Sequence, residues 1–124
     1  MERAVFGASE FFSQEAFISV FRGIDHVRVG RLKGSNIEVV EVWFNPWKVS
    51  YNELIELFFD LHDPTMGGSQ DCKNQSFVFF TTIHQLRVAK QKKLGLKDEI
   101  NKDIITEIIP VCGGLNVGEL KLIS

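Results

Sequence analysis

The sequence predicts an α+β fold in which helices pack against a mixed sheet. Three observations predict it. Short stretches alternate apolar and polar residues, as half-buried strands do. Other stretches repeat apolar residues at i, i+3 and i+4, as helices do. The order of the two is strand, helix, strand, strand, helix, strand, helix, strand, which makes two βαβ-like units with a hairpin between them.

Residues 2–7, ERAVFG, read as the first strand. It runs through a small-residue turn in VFGASEFFSQEAF, residues 5–17, into a helix with Phe17, Val20 and Phe21 on one stripe. Gly23 stops that helix, because glycine tolerates the left-handed conformation common just past a helix end. IDHVRVGRL then alternates as a half-buried strand, KGSN turns, and IEVVEVWF returns beside it as a hairpin. Pro46 ends the strand. Ser50 with Glu53 three residues on forms a capping-box pattern. Leu54, Leu57, Phe58 and Leu61 are the apolar stripe of the helix it opens, and Pro64 forbids continuation.

TMGGSQDCKNQ reads as a loop, and SFVFFTT, apolar on both faces, as a central covered strand. A third helix begins near Ile83, with Arg87, Lys90, Lys92, Lys93 and Lys97 on a solvated face, and Gly95 breaks it. DIITEII is the last strand, and the glycine-containing tail is weakly structured. The sum is a ferredoxin-like split βαβ sandwich. Without repeats or linkers, residues 1–124 form one domain.

The chain has 124 residues, 44% apolar and 24% charged, with a net charge of −2, a globular composition with no bias toward nucleic acid or an anionic membrane. No apolar run approaches the roughly 20 residues that span a bilayer. MERAVFG lacks a signal-peptide core, so the expected compartment is cytoplasmic. There Cys72 and Cys112 are expected to be thiols. They form no metal motif with His26, His62 or His84, so neither metal nor cofactor is expected.

FGASEFF resembles the signature of the type A peptide methionine sulfoxide reductases, F-G-x-G-C-F-W-G. VEVWFNPWKVSYNELIELFFDLHDPT is similar to that family's strand, proline, SY-x-x-L, apolar helix and HDPT, and TEI at 106–108 matches a late strand. The resemblance covers most of residues 4–109. It implies a cysteine thiolate at a helix N-terminus that attacks the sulfoxide sulfur, favoured by the helix dipole. A buried glutamic acid, assisted by tyrosines, protonates the oxygen. An aromatic pair holds the substrate methyl group, and a second cysteine forms a disulfide that thioredoxin reduces.

Residue by residue, the nucleophile position falls on Glu10, the glycine before it on Ser9, the aromatic pair on Phe11 and Phe12, and the glycine after that pair on Ser13. The general acid falls on Glu38. The family's GND-x-G-x-QYRS loop is represented by GGSQDCKNQS, without its tyrosine, and Tyr51 in the helix-opening SY does not replace it. The family's long loop before the Glu38 strand, which carries one of its tyrosines, is cut to KGSN, and the C-terminal resolving segment is absent or unrecognisable.

Each residue carries two readings. Glu10 at a helix start is stabilising through the dipole alone, or it remodels the old thiolate position. Glu38 shares a strand face with Val40, Val42 and Phe44; buried there, it gains the raised pKa a general acid needs, and on an open face it is solvated. Glu41 stands on the opposite face. Phe11 and Phe12 are core or substrate wall. His62 and Asp63 end a helix and order the turn before Pro64.

A carboxylate cannot supply the two electrons that sulfoxide reduction consumes. The expectation is therefore a degenerate reductase that still accepts a methionine sulfoxide or methionine-like peptide side chain, with thioredoxin as partner only if activity remains. The alternatives are Cys72 as substitute nucleophile, and acid–base chemistry by Glu10 and Glu38.

Overall fold

A computed structural model describes residues 1–8, 22–31, 37–61, 64–65, 76–111 and 121–122. In chain order these form β1 (Glu2–Ala8), β2 (Ile24–Arg31), β3 (Glu38–Phe44), α1 (Tyr51–Asp60), β4 (Ser76–Phe80), α2 (Ile83–Ile100), β5 (Glu107–Pro110) and β6 (Lys121–Leu122). The strands make one sheet in the order β5-β4-β1-β3-β2-β6.

β1 lies antiparallel between β3 and β4, so β3 and β4 are parallel partners split by β1. β3 likewise lies between β1 and β2, and β2 with β3 forms the expected hairpin pairing. β5 joins β4 in parallel, with α2 as the crossover. The sheet is therefore mixed, and its inner order β4-β1-β3-β2 is the split βαβ arrangement read from the sequence. The helix expected after β1 and the KGSN turn lie outside the described residues. Gly23, expected to end that helix, has φ +96°, and a Cβ there would stand 2.6 Å from the Cβ of Lys48, so no other residue fits unstrained.

Strand alternation sorts the core into two clusters. Ala4, Phe6, Ala8, Val40, Val42, Phe44 and Val78 face α1 and α2. Val5, Val39 and Phe79 face the other way, with Ile37 and Val111 packed among them. β4 is covered on both faces, as its unbroken apolar run requires, but it lies second from one edge and not at the sheet's centre.

The capping box of α1 is complete: Glu53 N donates to Ser50 Oγ at 3.1 Å, and Ser50 N donates to Glu53 Oε2 at 2.8 Å. Leu54, Ile55 and Phe58 are fully buried, with Phe58 stacked on Phe6 at 4.8 Å. Helix α2 departs from expectation by continuing through Gly95 to Ile100 and ending at Asn101, whose φ is 54°. One interior glycine costs only about 1 kcal/mol of helix stability, too little to stop an established helix.

At its start, buried Gln85 donates to the Arg3 carbonyl oxygen at 2.8 Å and to Glu2 Oε2 at 3.0 Å, which ties α2 to β1. The basic run is not uniformly solvated. Arg87, Lys90 and Lys97 are exposed, but Lys92 reaches Glu56 and Lys93 donates to the Thr106 carbonyl oxygen at 2.7 Å.

The last expected strand begins late, at Glu107 and not at Asp103, because the Ile105 N–H donates to the Pro64 carbonyl oxygen at 2.7 Å. The tail carries a strand the sequence reading lacked: β6 pairs antiparallel with β2 through Arg28–Leu122 and Val29–Lys121.

Candidate functional site

One end of the sheet holds Glu38, the general-acid position singled out in the sequence, in a row with Ala8, Ser76 and Arg31. Ala8, the last residue of β1, stands opposite Glu38 on β3 and opposite Ser76 on β4, and Glu38 stands opposite Arg31 on β2. Antiparallel alternation puts Glu38 on the face of Val40, Val42 and Phe44, as expected. It is half-buried, between the fully buried and the solvated alternatives.

Next along this row, Ser76 is buried, and its Oγ lies 2.8 Å from Thr106 Oγ1. The Thr106 carbonyl oxygen in turn accepts from Lys93 of α2. A short polar ladder thus fixes the start of β4 against the residues that precede β5. Sequence reading missed the Ser76–Thr106 pair, although Thr106 opens the TEI stretch that it singled out.

Glu10, Phe11, Phe12, Cys72 and Cys112 lie outside the described residues, as do His62 and Asp63. Glu38 is therefore the one predicted site residue that the structure positions.

Tyr51 is a core residue. It is 3% exposed, stacks on Phe6 at 6.1 Å, and its hydroxyl has no hydrogen-bond partner among the described residues. Burial pushes the phenol pKa far above its ordinary value, and the Glu2 carboxylate pushes it in the same direction. The group is a neutral phenol, in keeping with its reading as part of the helix opening.

The buried acid of this sheet is Glu41, on the face opposite Glu38. It is 1% exposed and accepts from Arg3 Nη1 at 3.2 Å, Arg28 Nη1 at 3.2 Å and Trp43 Nε1 at 3.1 Å. His26 stacks on Trp43 at 5.6 Å, and the Arg3 guanidinium lies 5.8 Å from the same indole. Two cations and an indole N–H make burial of this carboxylate tolerable. A signal was available: once the hairpin register is drawn, Arg28 falls directly opposite Glu41. The arrangement fastens β1, β2 and β3 together.

Among the described residues, no group of three or more His, Cys, Asp or Glu could hold a metal ion. No described helix is long and apolar enough to cross a membrane.

The family model of peptide methionine sulfoxide reductase matches residues 31–113. That span includes Glu38, Ser76 and Thr106 and begins downstream of the segment 5–17. The chain is 31% identical over 129 aligned residues to peptide methionine sulfoxide reductase MsrA 1 of a Nostoc species, an alignment covering 87% of this chain and 79% of that protein.

Two solved structures share the fold. Mxr1 from Saccharomyces cerevisiae superposes with a TM-score of 0.67 at 20% identity, covering 88% of this chain and 72% of that one. Methionine sulfoxide reductase A of Corynebacterium diphtheriae gives 0.66 at 19% identity, with coverages of 97% and 69%. With the family model matched over residues 31–113, more than half of the chain, and a relative of this identity, the chain belongs to the peptide methionine sulfoxide reductase family.

Proposed function

We propose that this protein is a degenerate member of its family, a single domain over residues 1–124 that has lost thiol-dependent reduction of methionine sulfoxide and still receives a methionine-like side chain of a peptide. The observation that carries the reading is the residue at the signature's nucleophile position. Beyond Ala8 the chain reads Ser9-Glu10-Phe11-Phe12 where the family signature reads glycine, cysteine and an aromatic pair. Reducing a sulfoxide to a thioether takes two electrons, and the Glu10 carboxylate has none to give.

The residues at the other signature positions support retained binding. Phe11 and Phe12 stand at the signature's aromatic-pair positions, and Glu38 stands at its general-acid position, paired with Ala8 across the sheet. The compartment assigned is the cytoplasm, where Cys72 and Cys112 stay reduced.

A second reading has its own support. Cys72 precedes Ser76 by four residues, and Ser76 stands in the same row as Ala8 and Glu38. In this reading Cys72 is the substitute nucleophile and thioredoxin the reductant.

The test is turnover of a peptide containing methionine S-sulfoxide by the purified protein, with dithiothreitol as electron donor. The expected rate equals the no-protein control. Turnover that Cys72→Ser abolishes would replace the first reading with the second.

A further inference from the structure

Helices α1 and α2 do not close fully against each other. Between them lies a groove of about 590 Å³ with Phe59 and Leu96 among its lining residues, well within the roughly 300–1,000 Å³ of ligand-holding clefts. It is distinct from the row around Glu38 and Ala8, and none of its lining residues belongs to that row.

Gly95 is the informative residue. It sits inside an 18-residue helix, and a Cβ built on it would meet nothing within 4 Å. Neither helix packing nor backbone conformation among the described residues requires a glycine there, although alanine favours the helix. The consequence of its missing side chain is bare backbone on the groove wall. Close approach of a ligand to the backbone is one use that glycine serves.

The electrostatics state what that chain carries. Glu56 is occupied by Lys92 across the groove. Asp60 and Glu99 have no ion-pair partner among the described residues, and each stands in the last turn of its helix, where the dipole disfavours a carboxylate. The last turn of α1 holds no basic residue. A cation relieves both sites. Asn52 and Gln91, also on the groove walls, offer amides that both donate to and accept from a peptide backbone.

We propose that the groove docks a basic, extended peptide segment of a partner protein. Its backbone passes over Gly95, an apolar side chain lies against Phe59 and Leu96, and flanking lysine or arginine side chains meet Asp60 and Glu99.

The test is a titration of the whole isotope-labelled protein with a short capped peptide of alternating lysine and leucine, followed by amide resonances. Saturable shifts are expected at Phe59, Gly95 and Leu96. Gly95→Ala should raise the melting temperature while weakening the peptide roughly tenfold, since the helix gains and the docked backbone is pushed away. The double substitution Asp60→Asn, Glu99→Gln should weaken it by about tenfold at low salt. The proposal is overturned by shifts that avoid the groove, or by unchanged affinity in Gly95→Ala. Equal binding of the glutamate–leucine analogue would also overturn it. So would spermidine moving the same amides as strongly, which would mark a site for small cations instead of a peptide.

Discussion

Tyr51 keeps its hydroxyl in the core with no partner among the described residues, and burial holds that phenol neutral. Its folded pKa lies above the unfolded value of about 10, so the proton is held more tightly in the folded state. The stability this contributes is complete below about pH 10 and is lost as pH rises past the unfolded value toward the folded one. Tyr51→Phe keeps the ring against Phe6 and removes the orphaned oxygen. The expected result is a protein at least as stable near neutrality, by up to about 1 kcal/mol, with a shallower loss of stability above roughly pH 10. The sequence holds a single tyrosine, so tyrosinate absorbance reads this group alone. Absorbance should appear together with unfolding; a phenol that ionises near its ordinary pKa in the folded protein would refute the account.

At the same scale, the roles of acids were the hardest to read. Glu38 was legible by face but not by depth, because half-burial depends on neighbours beyond its own strand. Glu41 looked like an ordinary polar alternation. Its burial depends on Arg3 and Arg28, which come from two other strands, and on Trp43 of its own.

Elements were legible where their determinants are local. The Ser50 and Glu53 pair lies within one turn, and the structure contains both of its hydrogen bonds. Because α1 buries Leu54, Ile55 and Phe58 against the sheet, fraying its first turn is transmitted to the core. Ser50→Ala should therefore lower unfolding stability by about 1 kcal/mol, read as a shift in the urea midpoint at unchanged slope. A change below a few tenths of a kcal/mol would mean the cap is replaced by water without loss. Elements with distant determinants were misread. Gly95 looks like a terminator in one dimension, yet α2 passes through it to the left-handed Asn101. The two residues of β6 have no strand pattern of their own and exist by pairing with β2.

At the scale of the whole molecule, the split βαβ order does more than build a core. Because β1 runs antiparallel between β3 and β4, the exit of β1 and the entries of β3 and β4 lie at the same end of the sheet. That end brings Ala8, Glu38 and Ser76 into one row. It is also where the segment containing Glu10 departs and the segment containing Cys72 arrives. On the proposed reading, what this arrangement lacks is an electron donor, and Glu10→Cys supplies one. The restored thiolate attacks the sulfoxide sulfur, the oxygen passes to the cysteine as a sulfenic acid, and the thioether leaves; one thiol is oxidised as one sulfoxide is reduced. Glu10→Cys should therefore produce about one equivalent of methionine per protein without added thiol, and continued turnover with dithiothreitol, measured by chromatography of the peptide. The same variant with Glu38→Gln should be slower by roughly 10²-fold or more if Glu38 delivers the proton. A Glu10→Cys protein that folds normally and still releases no methionine would mean that the pocket, and not only its nucleophile, has been lost.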